Sequence, residues 1–309
     1  MVGPKVDAVD IDPKTGSTLG FYTYGDDQPN ILVVAGMGGL SATDVYASYL
    51  LMQFLRSLER IEGSVTVLPV ANPLAFRLGV RVSPLDSRDL DSVFPGDERG
   101  SVTERTAWEI WRRAMHAQHI IHLKTSQLSC LSHVVALHRD YIHVRNLATQ
   151  IAVPIVVQST GDRGALTVEA AHEGIAAVTI EMRGSQGEVD PQAAVEVKEA
   201  ILNFLRILHM IPGEAIEVSN TLMGVAQKVN ATEEGFFVPT ANLGEVILQD
   251  SVVGQIQGKN TIQSPYGGAV VALSRMSYVF EGDVVARIAS PLIDRHAQQR
   301  EESTSRRKW

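Results

Sequence analysis

The sequence contains one cysteine, Cys130, among 309 residues. A single thiol cannot form a disulfide within the chain or supply a cysteine-based zinc site, so both are excluded. No run of about 18 apolar residues is present, and the first residues have no apolar core of the signal-peptide kind. We therefore expect a cytoplasmic protein with no membrane partner.

Positive charge is also scarce. The chain has 27 Lys and Arg residues against 35 Asp and Glu residues, a net charge of −8, and it has no long basic run. Nucleic acid is therefore not expected as a partner. A hydrophobic fraction of 45% with 20% charged residues is that of a chain able to build a globular core.

Short apolar runs rich in β-branched residues alternate with longer segments of helical periodicity. This alternation predicts an α/β fold with a mostly parallel sheet flanked by helices. Ser101 and Glu104 have capping-box spacing, and Ser41 is a candidate cap for an earlier helix. The predicted strands are 30–36, 64–70, 119–126, 153–159 and 176–182, and the predicted helices are 41–60, 101–115, 164–173 and 191–210.

The pattern changes after Pro212, where short apolar segments are interrupted by glycines and helical periodicity is lost. We predict an α/β domain over residues 1–212 and an all-β domain over 213–291. Residues 292–309 are polar and charged, and we predict a disordered tail there.

Four stretches in register resemble one family. They are GMGGLS (36–41), VLPVANPLAFRLGVR (67–81), DLDSVFPG (89–96) and GALTVEAAHEGIAAVTIEM (164–182). Their order and spacing resemble the succinylglutamate desuccinylase/aspartoacylase family of deacylases. The resemblance implies a zinc-carboxypeptidase-like α/β domain, a C-terminal barrel-sandwich domain, and one catalytic zinc ion.

The resemblance also implies three zinc ligands, and none of the matching positions keeps one. Gly38 stands where the family has a histidine, and Ser41 stands where it has a glutamate. Lys124 stands at the second histidine position, and an ammonium group has no lone pair to offer a metal. His122 replaces the aspartate that orients that histidine in the family. We therefore predict that the protein binds no zinc and uses no other cofactor.

Other positions of the family pattern are partly kept. Asp91 and Ser92 replace an Asn and an Arg that hold substrate in the family, so a bidentate carboxylate clamp is lost. Arg81 matches an arginine that helps to hold the substrate carboxylate, and Glu181 matches the general base that activates water. Arg81, His122 and Asp91 are thus the predicted ligand-binding residues.

A metal site relocated among the nine histidines has little support from spacing. His119 and His122 lie an odd number of residues apart, so on a strand they face opposite sides, whereas His122 and Lys124 share a face. We hypothesise instead that the Lys124 ammonium group replaces the lost ion and neutralises Glu181, because an unpaired buried carboxylate is costly. His122 should then be uncharged.

Two functions remain open from the sequence. The first is a metal-free, non-catalytic relative of N-acyl amino acid deacylases that binds a small carboxylate or a partner subunit, either a second copy or an active relative. The second is an enzyme acting on a small N-acylated amino acid or related carboxylate. It would work without zinc through Lys124 and Glu181, or with zinc held by relocated ligands.

Overall fold

The structure, a computed structural model, describes residues 3–40, 42–184 and 188–292. The helix-capping prediction for Ser41 and the tail predicted over 292–309 therefore lie outside the described residues, except for Leu292 itself. None of the described helices is long and apolar enough to cross a membrane.

Residues 5–225 carry a large sheet with helices on both faces. Its strands and the intervening elements are β1 (Lys5–Asp12), β2 (Ser17–Gly25), β3 (Asn30–Val34), α1 (Thr43–Ser57), β4 (Ser64–Leu68), α2 (Pro73–Leu78), the short 3-10 helix Leu90–Ser92, α3 (Val102–Ala114), β5 (His119–Thr125), β6 (Ser129–Cys130), β7 (His133–Ala136), α4 (Ile142–Gln150), β8 (Ile155–Gln158), α5 (Leu166–His172), β9 (Ala176–Met182), α6 (Pro191–Ile207) and β10 (Thr221–Val225). All predicted strands and helices of this region are confirmed.

The large sheet is mixed but mostly parallel, as predicted: five of its eight described strand pairings are parallel and three are antiparallel. Its spatial order is β1-β2-β4-β3-β5-β9-β7-β8-β10. Strands β4, β3, β5 and β9 are mutually parallel, whereas β7, β8 and β10 run the opposite way, and β1 and β2 form an antiparallel hairpin at one edge. The carboxyl ends of β3, β5 and β9 therefore meet at one edge of the sheet.

Alternate residues of each central strand enter two different apolar cores. In β3, Ile31 and Val33 pack into the core formed with α1 and α6, whereas Leu32 and Val34 pack into the core beneath α3. Each such fully buried side chain contributes about 1.5–3 kcal/mol to folding. The same alternation puts His122 and Lys124 of β5 on the α3 side, because their neighbours Ile121 and Leu123 belong to the α1 core.

The C-terminal region is built from antiparallel strands only. These are β11 (Gln227–Asn230), β12 (Gly235–Pro239), β13 (Val246–Ile247), β14 (Val252–Ile256), β15 (Thr261–Gln263), β16 (Gly268–Leu273), β17 (Ser277–Val279) and β18 (Val284–Ala289). They pair as two open sheets, β11-β18-β16-β13 and β15-β14-β12-β17, around a shared core. The all-β prediction is confirmed, but the pairings of the described strands do not close a barrel.

The two regions exchange strands. The short β6, between β5 and β7 in the chain, is not part of the large sheet but pairs with β16, where Cys130 faces Ala272. In return β10, which follows the predicted boundary at residue 213, extends the large sheet beside β8. Because β6 lies between β5 and β7 in the chain, this exchange brings β16 and its neighbour β18 close to the ends of β5 and β9.

The predicted capping box at the start of α3 is present. Ser101 Oγ accepts a hydrogen bond from the Glu104 amide at 3.4 Å, and the Glu104 carboxylate accepts one from the Ser101 amide at 2.8 Å. Both bonds satisfy amides that a helix end leaves without partners. The box therefore fixes where α3 begins.

We predict that Ser101→Ala lowers the free energy of unfolding by about 1 kcal/mol, because one cap hydrogen bond is lost. The matched control is Ser57→Ala, since the exposed Ser57 hydroxyl donates only to its own helix at Phe54. Urea unfolding followed by circular dichroism measures both. Equal stability of Ser101→Ala and the wild type would contradict the role of the cap.

Candidate functional site

The turn after β3 requires glycine at two positions but not at a third. At Gly36, φ is +65° and an added Cβ would lie 2.9 Å from the Val70 Cα; at Gly39 it would lie 1.9 Å from the Ala75 carbonyl oxygen. At Gly38 the nearest atom would be the Arg81 carbonyl oxygen at 3.8 Å, an ordinary contact. A Cβ atom therefore fits at position 38, so backbone packing does not require glycine there.

A buried carboxylate fixes this turn to the end of β5. Asp44, in the first turn of α1, accepts a hydrogen bond from the Gly36 amide at 2.9 Å and another from Thr125 Oγ1 at 2.9 Å. Burial raises the pKa of Asp44 to about 6, although these hydrogen bonds act in the opposite direction. The carboxyl ends of β3 and β5 are thus held together by one titratable group.

Lys124, His122 and Asp91 lie together. The Lys124 Nζ is 3.6 Å from Asp91 Oδ2, and His122 Nδ1 is 3.8 Å from the same oxygen. Asp91 belongs to the 3-10 helix, and its Oδ1 also accepts a hydrogen bond from the Leu166 amide at 3.3 Å. Lys124 is half exposed, whereas His122 is buried. The cation thus has a fixed counter-charge within the site.

His122 is the uncharged residue of this group. Burial lowers its pKa; the charge of Asp91 partly offsets this effect, and the charge of Lys124 reinforces it. Its Nδ1 also lies 3.5 Å from Thr179 Oγ1 on the neighbouring strand β9. The direction agrees with the expectation of a neutral imidazole beside Lys124.

Glu181 is buried at the end of β9, between two groups that can carry positive charge. Arg287 Nη1, from β18, lies 3.3 Å from Glu181 Oε1, and His133 Nε2, from β7, lies 3.7 Å from Oε2. Burial raises the pKa of Glu181, but the charges of His133, Arg287 and Lys124 outweigh it, so the pKa lies below its usual value. Glu181 is therefore held as a carboxylate ion.

The hypothesis that Lys124 is the direct partner of Glu181 needs correction. The two residues are register neighbours on adjacent parallel strands. Within the described residues, however, the ion pair of Lys124 is with Asp91, and that of Glu181 is with Arg287. Lys124 acts on Glu181 only as the third of three positive charges. The C-terminal region supplies a cation that β5 was expected to supply.

Arg81 is committed elsewhere. Its Nε and Nη2 both donate to Asp89 Oδ2, at 3.0 and 2.9 Å, and its side chain is 63% exposed. Asp89 lies two residues before Asp91, the partner of Lys124. Its guanidinium, however, already has a carboxylate partner.

The residues at the three family ligand positions do not suit a zinc ion. Gly38 offers no donor atom, and Lys124 is a protonated amine paired with Asp91. Ser41 lies outside the described residues. In the described part of the chain, no group of three His, Cys, Asp or Glu residues is arranged to hold a metal ion. A catalytic zinc ion needs three such donors, and the described positions supply none of them.

A match to a family model now identifies the class of the protein. Residues 27–208 match the model described as the succinylglutamate desuccinylase/aspartoacylase catalytic domain. The chain belongs to this family, and the resemblance seen in the four motifs is confirmed.

Individual relatives are more distant or matched only in part. A stretch of 79 residues is 38% identical to the N-alpha-acetyl-L-2,4-diaminobutyric acid deacetylase of Halomonas elongata; it covers 26% of this chain and only 23% of that relative.

Two solved structures share the fold over nearly their whole length. The product-bound ectoine utilization protein EutE (DoeB) of Ruegeria pomeroyi superposes with a TM-score of 0.81 at 18% identity, covering 94% of this chain and 96% of that one. A succinylglutamate desuccinylase/aspartoacylase from Rhodobacter sphaeroides gives 0.80 at 21% identity, covering 96% and 97%. Identities this low show the fold alone.

Three residues of the site were not selected from the sequence. Asp44 falls within the predicted helix 41–60, where no motif marks it as a site residue. His133 is one of the nine histidines, among which spacing gives little support for a metal site. Arg287 had no signal of its own, since only the pairing of β6 with β16 brings β18 to Glu181. The need of a buried Glu181 for a cation was the one available indication.

The raised pKa of Asp44 gives a pH prediction. Because the pKa is higher in the folded than in the unfolded chain, the folded protein binds more protons between about pH 4 and 6, so stability falls as pH rises through this range. Asp44→Asn removes the charge; its Oδ1 can still accept from the Gly36 amide, and its Nδ2 can donate to Thr125 Oγ1 in place of the bond that Asp44 accepts. We expect its stability relative to wild type to increase by about 2–3 kcal/mol from pH 4 to 7.

Urea unfolding at several pH values measures this difference. The control is Asp26→Asn, at an exposed position, which should track the wild type throughout. Parallel curves for Asp44→Asn and wild type would show that Asp44 titrates normally.

Proposed function

We propose that this chain is a metal-free, non-catalytic homologue of the N-acyl amino acid deacylases that binds a small carboxylate ligand. The observation that carries the proposal is the Lys124–Asp91 ion pair, 3.6 Å long. It puts a paired ammonium group at the position where the resemblance to the family implies a histidine ligand, while the scaffold around it is kept.

The environment of Glu181 supports a non-catalytic role. A general base is most effective when its pKa lies near the working pH. Burial of Glu181 acts in that direction, but His133 and Arg287 outweigh it and lower the pKa of the carboxyl group. A carboxylate stabilised in this way is a weak proton acceptor.

An enzyme that works through Lys124 and Glu181 is the second candidate. The half-exposed Lys124 side chain favours it, because an amine open to solvent can contact a substrate. Such an enzyme would act on a small N-acylated amino acid. Zinc held by relocated ligands is a weaker form of this candidate, since the described residues offer no suitable group of donors.

The ligand class is proposed from the relatives. The Halomonas relative is named as an N-alpha-acetyl-L-2,4-diaminobutyric acid deacetylase, and the Ruegeria structure is of an ectoine utilization protein with product bound. We propose a small N-acyl amino acid or related carboxylate for this chain. On sequence grounds we also propose a cytoplasmic location and a barrel-sandwich C-terminal region. We further propose that the chain pairs with a second copy or with an active relative.

Restoring the family donors tests the metal part of the proposal. We expect wild-type protein to show no zinc binding by calorimetry, and the triple variant Gly38→His, Ser41→Glu, Lys124→His to bind zinc, because backbone packing does not require glycine at position 38. The double variant Gly38→His, Ser41→Glu, which keeps Lys124, is the control and should bind far more weakly. Zinc binding by wild type at one ion per chain would contradict the proposal.

Binding and turnover are tested together. We expect the melting temperature to rise with N-acetyl amino acids, including N-alpha-acetyl-L-2,4-diaminobutyric acid. Lys124→Ala should weaken binding by about tenfold, as expected for a lost hydrogen bond from the ammonium group to a ligand oxygen outside the carboxylate. The control is Lys14→Ala, at an exposed position that is distant from Lys124 in the sequence. Equal shifts in wild type and Lys124→Ala would remove Lys124 from the binding site.

The same samples, followed by proton NMR, should release no acetate. Acetate release that is lost in Glu181→Gln would establish the enzyme candidate and overturn the non-catalytic one.

A further inference from the structure

Arg287 reaches the family site from a separate part of the chain. It lies on β18, which pairs with β16, and β16 in turn pairs with β6, the short strand between β5 and β7 in the chain. Its Nη1 donates to both oxygens of Glu181, at 3.3 and 3.4 Å. The guanidinium is thus held beside the end of β9, although Arg287 and Glu181 are 106 residues apart in the sequence.

Most of the hydrogen-bonding capacity of Arg287 is unused. A guanidinium carries five N–H donors. Among the described residues, Arg287 donates only from Nη1, through two bonds at the long end of the range, and its buried Nε has no partner. The side chain as a whole is 35% exposed. Native proteins rarely leave a buried donor without an acceptor, and Nε is such a donor.

Arg287 is not the sole group that stabilises the Glu181 carboxylate. His133 Nδ1 lies 2.7 Å from the Leu131 carbonyl oxygen, which can only accept, so Nδ1 carries a proton. Its Nε2 faces Glu181 at 3.7 Å, and His133 and Lys124 act on the Glu181 carboxylate together with Arg287.

The other two cations of the site are each paired with a carboxylate. Lys124 is paired with Asp91, and Arg81 gives two donors to Asp89. Arg287 is paired with Glu181, but only through Nη1, so an incoming carboxylate would meet N–H donors that have no partner among the described residues.

We propose that Arg287 is the residue that anchors the carboxylate of the bound ligand, in place of Arg81. The assignment rests on the proposed binding of a small carboxylate and adds the residue that determines specificity for it. The ligand class is a monocarboxylate small enough to reach the end of β9, with its carboxylate on the guanidinium. The C-terminal region thereby forms part of the site.

A double-mutant cycle between protein and ligand tests this assignment. The probes are N-alpha-acetyl-L-2,4-diaminobutyric acid and N-acetylglycine, each beside its neutral carboxamide, titrated by calorimetry. In wild type, replacing carboxylate by carboxamide should weaken binding about 10- to 100-fold, as for a charge-assisted hydrogen bond. In Arg287→Gln the loss should fall below about twofold, since the interaction is already absent.

Three further variants complete the design. In Arg81→Gln and in Arg275→Gln, at an exposed position, replacing the carboxylate by the carboxamide should weaken binding as much as in wild type. Arg287→Lys keeps the charge without the planar fork and should give an intermediate loss. It also decides the question if Arg287→Gln does not fold.

Each outcome is decisive. A full loss in Arg287→Gln, or in Arg287→Lys if only that variant folds, overturns the assignment and leaves the proposed function standing. A loss that disappears in Arg81→Gln instead transfers the anchoring role to Arg81. Wild-type protein that binds neither probe overturns the proposed function and this assignment with it.

Discussion

The rest of the site depends on the ion pair between Lys124 and Asp91. It lies at the carboxyl end of β5, on the face shared with His122, at the position where the resemblance to the family implies a histidine ligand for a metal ion. An ammonium group cannot ligate a metal, and its charge also opposes the approach of one. With this pair in place, the remaining side chains form a set of compensated charges.

Charge compensation also explains the role of the C-terminal region. A buried carboxylate such as Glu181 is stable only with partners that replace its hydration. Arg287 and His133 provide them from β18 and β7, two strands that meet Glu181 from different directions. The exchange of β6 and β10 between the two regions fixes this arrangement, because it makes the position of β18 depend on the large sheet. The site is therefore assembled by tertiary packing and not by one local motif.

Local patterns predicted most of the elements. The apolar runs located β3, β4, β5, β8 and β9 because buried strands need continuous apolar sequence. The Ser101–Glu104 spacing located the start of α3 because cap hydrogen bonds are formed within four residues.

Long-range pairing was not predictable in the same way. The reversed direction of β7 and β8 gives the sheet its mixed character, but an apolar run does not encode strand direction. Nothing in the sequence near Arg287 indicates Glu181, since the two meet only after β6 has joined β16. The residues missing at the metal positions were visible in the sequence, whereas their replacement partners, Asp91 for Lys124 and Arg287 for Glu181, required the structure.

The most direct test of the central claim is a crystal of the wild-type protein soaked in zinc at neutral pH, with diffraction recorded on both sides of the zinc absorption edge. We expect no anomalous peak between the Gly36–Gly39 turn and the end of β5, and the Lys124 ammonium within hydrogen-bonding or ion-pair distance of Asp91. A strong anomalous peak there, with Lys124 turned away from Asp91, would contradict the account.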